Sequence, residues 1–137
     1  MRNNIFLNKN FSKLGDSIVN VVGSIVKTQL EGHPTGIKVK DKVLSDALKI
    51  AGLRKVFPKR LSVGDQGDIV EAIFAYLWLK EKLDIKMAAE IIKQEIEKEG
   101  AINQIKDATF EDFLFAKGFA KILIIFYKEI LRTAKHF

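Results

Sequence analysis

The stretch Ala72-Ile73-Phe74-Ala75-Tyr76-Leu77-Trp78-Leu79 limits this chain's folds more than any other segment. It is apolar nearly all round, and a helix without a polar face has to be enclosed by other helices. The rest of the sequence offers those neighbours. Phe11, Leu14, Ile18, Val21, Val22 and Ile25 recur at helical spacing and predict a first helix over roughly 11–29, with Asn10 or Ser12 placed to cap it. Gly32-His33-Pro34-Thr35-Gly36 breaks the chain. Val39, Val43, Leu44, Ala47 and Leu48 predict a second helix over about 39–51, with Gly52 where a C-terminal glycine belongs. The enclosed helix is predicted from about Asp65 to Leu83. A fourth, amphipathic helix spans about 85–98 and ends at Gly100. Thr109 and Asp112 resemble a capping box ahead of a fifth helix over about 109–134. No strand alternation and no internal repeat interrupts this order. The expected fold is a single all-α domain over residues 1–137, a size suited to one core.

Composition narrows the function. The 23 Lys and Arg exceed the 17 Asp and Glu, giving a net charge of +6, which permits an anionic polymer as partner. The absence of cysteine excludes disulfides, zinc–thiolate sites and cysteine nucleophiles. No leader pattern is visible at the start. Residues 119–130 are apolar, but Lys121, Lys128 and Glu129 interrupt them, so no membrane span is expected. The expected location is the cytoplasm.

Two motifs place acids inside apolar helices: Leu14-Gly15-Asp16-Ser17 and Gly67-Asp68-Ile69-Val70-Glu71-Ala72. Ionised carboxylates are rarely buried without a partner. Asp68 and Glu71, three apart, project from one helix face. Gly15 removes a side chain where another element can approach, and a glycine inside a helix otherwise costs about 1 kcal/mol relative to alanine. Helices packed through these faces would bring Asp16, Asp68 and Glu71 together. Three carboxylates repel and must share protons or a cation, and all-oxygen ligation favours Mg²⁺ or Mn²⁺. The plainer alternative is that Asp65 and Asp68 merely answer the dipole in the first turn of their helix. Arg54, Lys55, Lys59 and Arg60 form a basic connection before the second motif, either a phosphate-binding surface or a solvated loop. Five phenylalanines of the last helix, Phe110, Phe113, Phe115, Phe119 and Phe126, sit at core spacing and read as core or dimer surface.

On these two motifs the chain resembles the nuclease domain of ribonuclease III, most closely a short archaeal form without a double-stranded-RNA-binding domain. Leu14-Gly15-Asp16-Ser17-Ile18-Val19 is similar to the end of the family signature Glu-Phe-Leu-Gly-Asp-(Ala/Ser). The stretch from Gly67 to Ala75 is similar to its second motif, Asp-x-x-Glu-Ala with a small-apolar helix. Residues 39–53 resemble the linking segment, and the resemblance covers about 8–95. It implies a ribonuclease III-like endonuclease-domain helical bundle, a homodimer with double-stranded or structured RNA across it, and Mg²⁺-dependent hydrolysis leaving a 5′-phosphate. Asp16, Asp68 and Glu71 match three of four acidic positions as metal ligands, with Asp16 and Glu71 catalytic. The fourth position, a Glu in the family, is Ser12 here, and the aromatic beside it is Lys13.

The leading expectation is therefore a metal-dependent endoribonuclease. The alternatives are a catalytically inactive RNA-binding or assembly module of the same fold and a helical protein-interaction domain using the apolar last helix.

Overall fold

Seven consecutive residues of the helix that carries the apolar segment, from Ile69 to Ala75, are buried on every side, as an enclosed helix requires. The structure, a computed structural model, describes residues 4–98 and 107–135. The helices are α1 (Lys9–Glu31), α2 (Asp41–Ile50), α3 (Val63–Leu79), α4 (Ile85–Lys98), α5 (Ala108–Ile125) and α6 (Tyr127–Lys135). Short 3-10 turns lie at Ile5–Leu7 and Arg54–Val56, and the described residues contain no strand. The buried apolar residues form one cluster fed by all six helices. Phe74 meets Phe119 of α5 at 5.5 Å between ring centroids. Tyr76 packs edge-on against Phe6 and donates its hydroxyl to Glu129 of α6 at 3.0 Å. Among the described residues no helix is long and apolar enough to cross a membrane.

Several boundaries differ from the sequence expectation, each for a local reason. Asn8, rather than Asn10 or Ser12, caps α1, its Oδ1 accepting from Asn10 N at 2.8 Å. Ser12 is already inside the helix and donates its Oγ to Lys9 O at 3.0 Å. α3 starts earlier, under a capping box between Ser62 and Asp65. It stops at Leu79, not near Leu83, because Glu81 adopts φ 57° and Lys82 N bonds back to Leu77 O at 2.9 Å. Trp78 and Leu79 consequently emerge at the surface, 40% and 52% exposed. Asp107, not Thr109, caps α5, accepting from Phe110 N at 2.9 Å. The expected single last helix is two, divided at Phe126, with no proline or glycine to announce the division. α6 turns so that Ile130 and Ala134 are buried while Glu129 reaches Tyr76. Helix four runs as expected, and its Gly100 stop lies outside the described residues. Phe115 and Phe119 are buried, Phe110 and Phe126 pack against the core, and Phe113 is half exposed.

The segment after α1 is more than a break. Three α1 side chains spaced by four residues hold it along the helix. Thr28 bonds Thr35 through both its backbone groups, at 2.9 and 3.1 Å. Ser24 does the same for Ile37 at 2.9 and 3.2 Å, and Asn20 Oδ1 accepts from Val39 N at 2.8 Å. Gly23 makes room, because a β-carbon there would come within 2.6 Å of Val39 Cγ2. The chain is thereby delivered to the start of α2 in a defined register.

Candidate active site

The polar stripe that zips this segment continues up α1 as Asp16 and Ser12, again in steps of four. Where it meets α3, both motif glycines serve helix contact. A β-carbon on Gly15 would lie 1.7 Å from Glu71 O and 2.8 Å from Glu71 Cα, so α1 and α3 touch backbone to backbone. A β-carbon on Gly67 would meet Asp41 Oδ1 at 3.0 Å and Asp41 Cα at 3.4 Å, so the start of α2 sits on α3. Each glycine precedes a motif aspartate. The close approaches therefore set Asp16, Asp68 and Glu71 around one cavity of about 270 Å³, with Ser12, Lys13, Lys38 and Asp41 completing its wall.

The acids are not equivalent. Glu71 is 5% exposed and enters no ion pair. Burial, a hydrogen bond to Asp16 and the charges of Asp16, Asp68 and Asp41 push its carboxyl up to about 8. That bond is the main reason the Asp16 carboxyl is held below the usual range, aided by Lys38 and by Asn20 Nδ2 at 3.2 Å. Lys38 reaches Asp16 at 3.3 Å, and Lys9 reaches Asp68 at 2.6 Å. Both lysines are held above their ordinary value by the carboxylates they face.

Asp16, Asp68 and Glu71 therefore share a cavity, but no three acidic side chains among the described residues converge closely enough to enclose an ion as they stand. The lysine ammonium groups meet the need for positive charge at two of them. The donor set itself suits a hard divalent cation: every acidic donor is oxygen, and the most buried one has no basic partner. The first-turn explanation of the acids holds for Asp65, the first-turn partner of Ser62 in the capping box, but not for Asp68, which lies beyond that turn.

None of Arg54, Lys55, Lys59 and Arg60 lines the cavity. Arg54 is engaged in its own connection, donating to Pro58 O and Lys59 O at 2.8 Å each, while Lys55, Lys59 and Arg60 are exposed. The basic residues nearest the acids are Lys13 and Lys38, which line the cavity, and Lys9, which pairs with Asp68; sequence spacing did not mark them as a phosphate surface. Asp41 was also missed. The signal available was its position opening an amphipathic helix, which reads as an ordinary helix start.

Fold and cavity define the class: an all-helical domain with an acidic pocket at the seam of its first three helices. The family model for Ribonuclease III matches residues 9–132, and the chain belongs to the ribonuclease III family. No curated protein matches it.

Proposed function

We propose that this chain is a metal-dependent endoribonuclease that hydrolyses phosphodiesters of double-stranded or structured RNA. The observation that carries this reading is Glu71, a buried carboxyl facing a cavity with no basic partner and with Asp16, Asp68 and Asp41 around it. Such an arrangement is unfavourable unless it serves a cation or a proton transfer. Asp16, Asp68 and Glu71 would hold Mg²⁺ or Mn²⁺, which supplies a polarised water and charge stabilisation at the phosphate. Glu71 would give up its proton as the site loads, and Lys9 and Lys38, released from the acids, would be free to meet phosphate oxygens. RNA would be selected by shape and backbone, since A-form duplexes hide their major-groove base edges. The reading includes a two-fold homodimer, for which the half-exposed Phe113, Ile124 and Ile125 of α5 are surface candidates. α1 contributes little to that surface, with Val21 its one exposed large apolar residue.

A second reading, a catalytically inactive RNA-binding or assembly module, is favoured by Ser12, which adds no charge to the pocket and bonds its own helix. The two are separated by incubating labelled duplex RNA with the protein in Mg²⁺ or Mn²⁺, with chelator and Glu71→Gln as controls. Metal-dependent cleavage that both controls abolish supports the nuclease. Duplex binding without cleavage in either metal supports the module. A duplex neither bound nor cut defeats both.

A further inference from the structure

Asp41 is the one carboxylate of the pocket that no hydrogen bond or ion pair engages. Asp16 pairs with Lys38, Asp68 pairs with Lys9, and Glu71 is nine-tenths buried against the same cavity. Among the described residues the Asp41 carboxylate has no such partner. It is also placed with care. The zipper of Thr28, Ser24 and Asn20 fixes the chain up to Val39, and α2 opens two residues later with Asp41 seated over Gly67. Alanine at 67 would crowd Asp41 Oδ1 and touch its backbone. α1, by contrast, offers the pocket no second acid. One turn before Asp16 stands Ser12, buried, uncharged and bonded to Lys9 O.

A hard divalent ion takes about six oxygen ligands, more than three carboxylates each lending one oxygen supply. The side chain that most needs it is Glu71, nine-tenths buried, facing the cavity and without a basic partner. We infer that Asp41, supplied by α2 rather than by α1, is the fourth carboxylate of the divalent-cation site and takes part in holding the ion together with Asp16, Asp68 and Glu71. The inference rests on the proposed reading of the pocket as a cation site. It extends that reading to a ligand from a different helix, held in register by the α1 zipper. Because the side chain is free, it can turn toward the ion without breaking an existing bond.

The test is direct binding of Mn²⁺ alone, followed by electron paramagnetic resonance, to the full chain and to Asp41→Asn, Asp41→Glu, Asp46→Asn and Glu71→Gln. Asp46 lies on the same helix, pairs with Lys42 and does not line the pocket, so Asp46→Asn controls for loss of a charge. Asp41→Asn should weaken Mn²⁺ roughly tenfold or more, with Asp41→Glu and Asp46→Asn close to the unaltered chain. Glu71→Gln should weaken it as well. Thermal melts compare the fold of each variant, and retention of affinity by Asp41→Glu excludes a purely structural loss. Mn²⁺ binding that Glu71→Gln weakens and Asp41→Asn leaves unchanged overturns the role of Asp41 while keeping the cation site. No Mn²⁺ binding by the unaltered chain overturns the cation site itself, and the Asp41 role with it.

Discussion

Gly15 and Glu71 meet at a point where no side chain fits: a β-carbon on the glycine would stand 1.7 Å from the glutamate's carbonyl oxygen. The contact explains why a helix-weakening residue sits inside α1, and why the acid beside it faces the acid on α3. Gly15→Ala has to push two backbones apart. It should destabilise the protein by about 3 kcal/mol or more, at the upper end of overpacking costs, and lower the denaturant midpoint clearly. A midpoint within experimental error of the unaltered protein would contradict this backbone contact.

Glu71 makes stability depend on pH. Its folded carboxyl sits near 8 against 4.5 for an ordinary one, so the folded state holds a proton that the unfolded state releases. The associated stability is complete below about 4.5 and is lost as pH rises to about 8, on the order of a few kcal/mol in all. Melting temperature should fall across that window in the presence of chelator. Glu71→Gln, neutral throughout, should flatten the fall and melt several degrees higher at about pH 9. Identical pH profiles for the two proteins would rule out the buried proton.

Asn20 joins two parts of the site, bonding Asp16 Oδ1 and receiving Val39 N. Asn20→Ala leaves the Val39 amide without its acceptor and frees Asp16, at a cost of about 1–3 kcal/mol. If cleavage is observed, its rate should drop more than duplex affinity does, because the acids lose their spacing while the lysines remain. A drop in affinity alone would place Asn20 outside the site's support.

Ser12→Glu adds a carboxylate one turn before Asp16, at a position that already lines the cavity. It should lower the Mg²⁺ concentration needed and raise cleavage of a duplex. A variant structure with the new carboxylate at the ion, two ions tightly bound and still no cleavage would favour the inactive module.

Lys55, Lys59 and Arg60 are exposed and do not line the cavity, whereas Lys13 and Lys38 line it and Lys9 pairs with its Asp68. Alanine at the first three, sparing the bracing Arg54, should weaken RNA binding across sequences. It should also flatten the salt dependence, by roughly 0.9 for each duplex phosphate no longer neutralised or roughly 0.7 on single strand. An unchanged slope would move the phosphate surface to the cavity lysines. Light scattering at micromolar concentration should give twice the chain mass of 15.5 kDa. A value near 15.5 kDa would exclude the homodimer at that concentration.

Local chemistry alone made much of this molecule legible. The all-helical class follows from unbroken helical periodicity, and the enclosure of α3 follows from a run with no polar face. Gly52 ends α2 in the left-handed conformation that glycine tolerates, as its position announces. Asp16, Asp68 and Glu71 stood out because acids within apolar helices demand a partner, and they do face one cavity. What the residues by themselves determined is therefore the helical order, the buried helix and the identity of these acids, since each depends on neighbours within a few turns. Tertiary structure decided the rest. The division at Phe126 carries no breaker and arises from α6 turning toward the core. The lysines at the acids, and Asp41 over Gly67, come from segments far apart in the chain. Only the packing of α1 and α2 on α3 brings them together, because a charge's partner is set by distance in space and not by spacing along a helix.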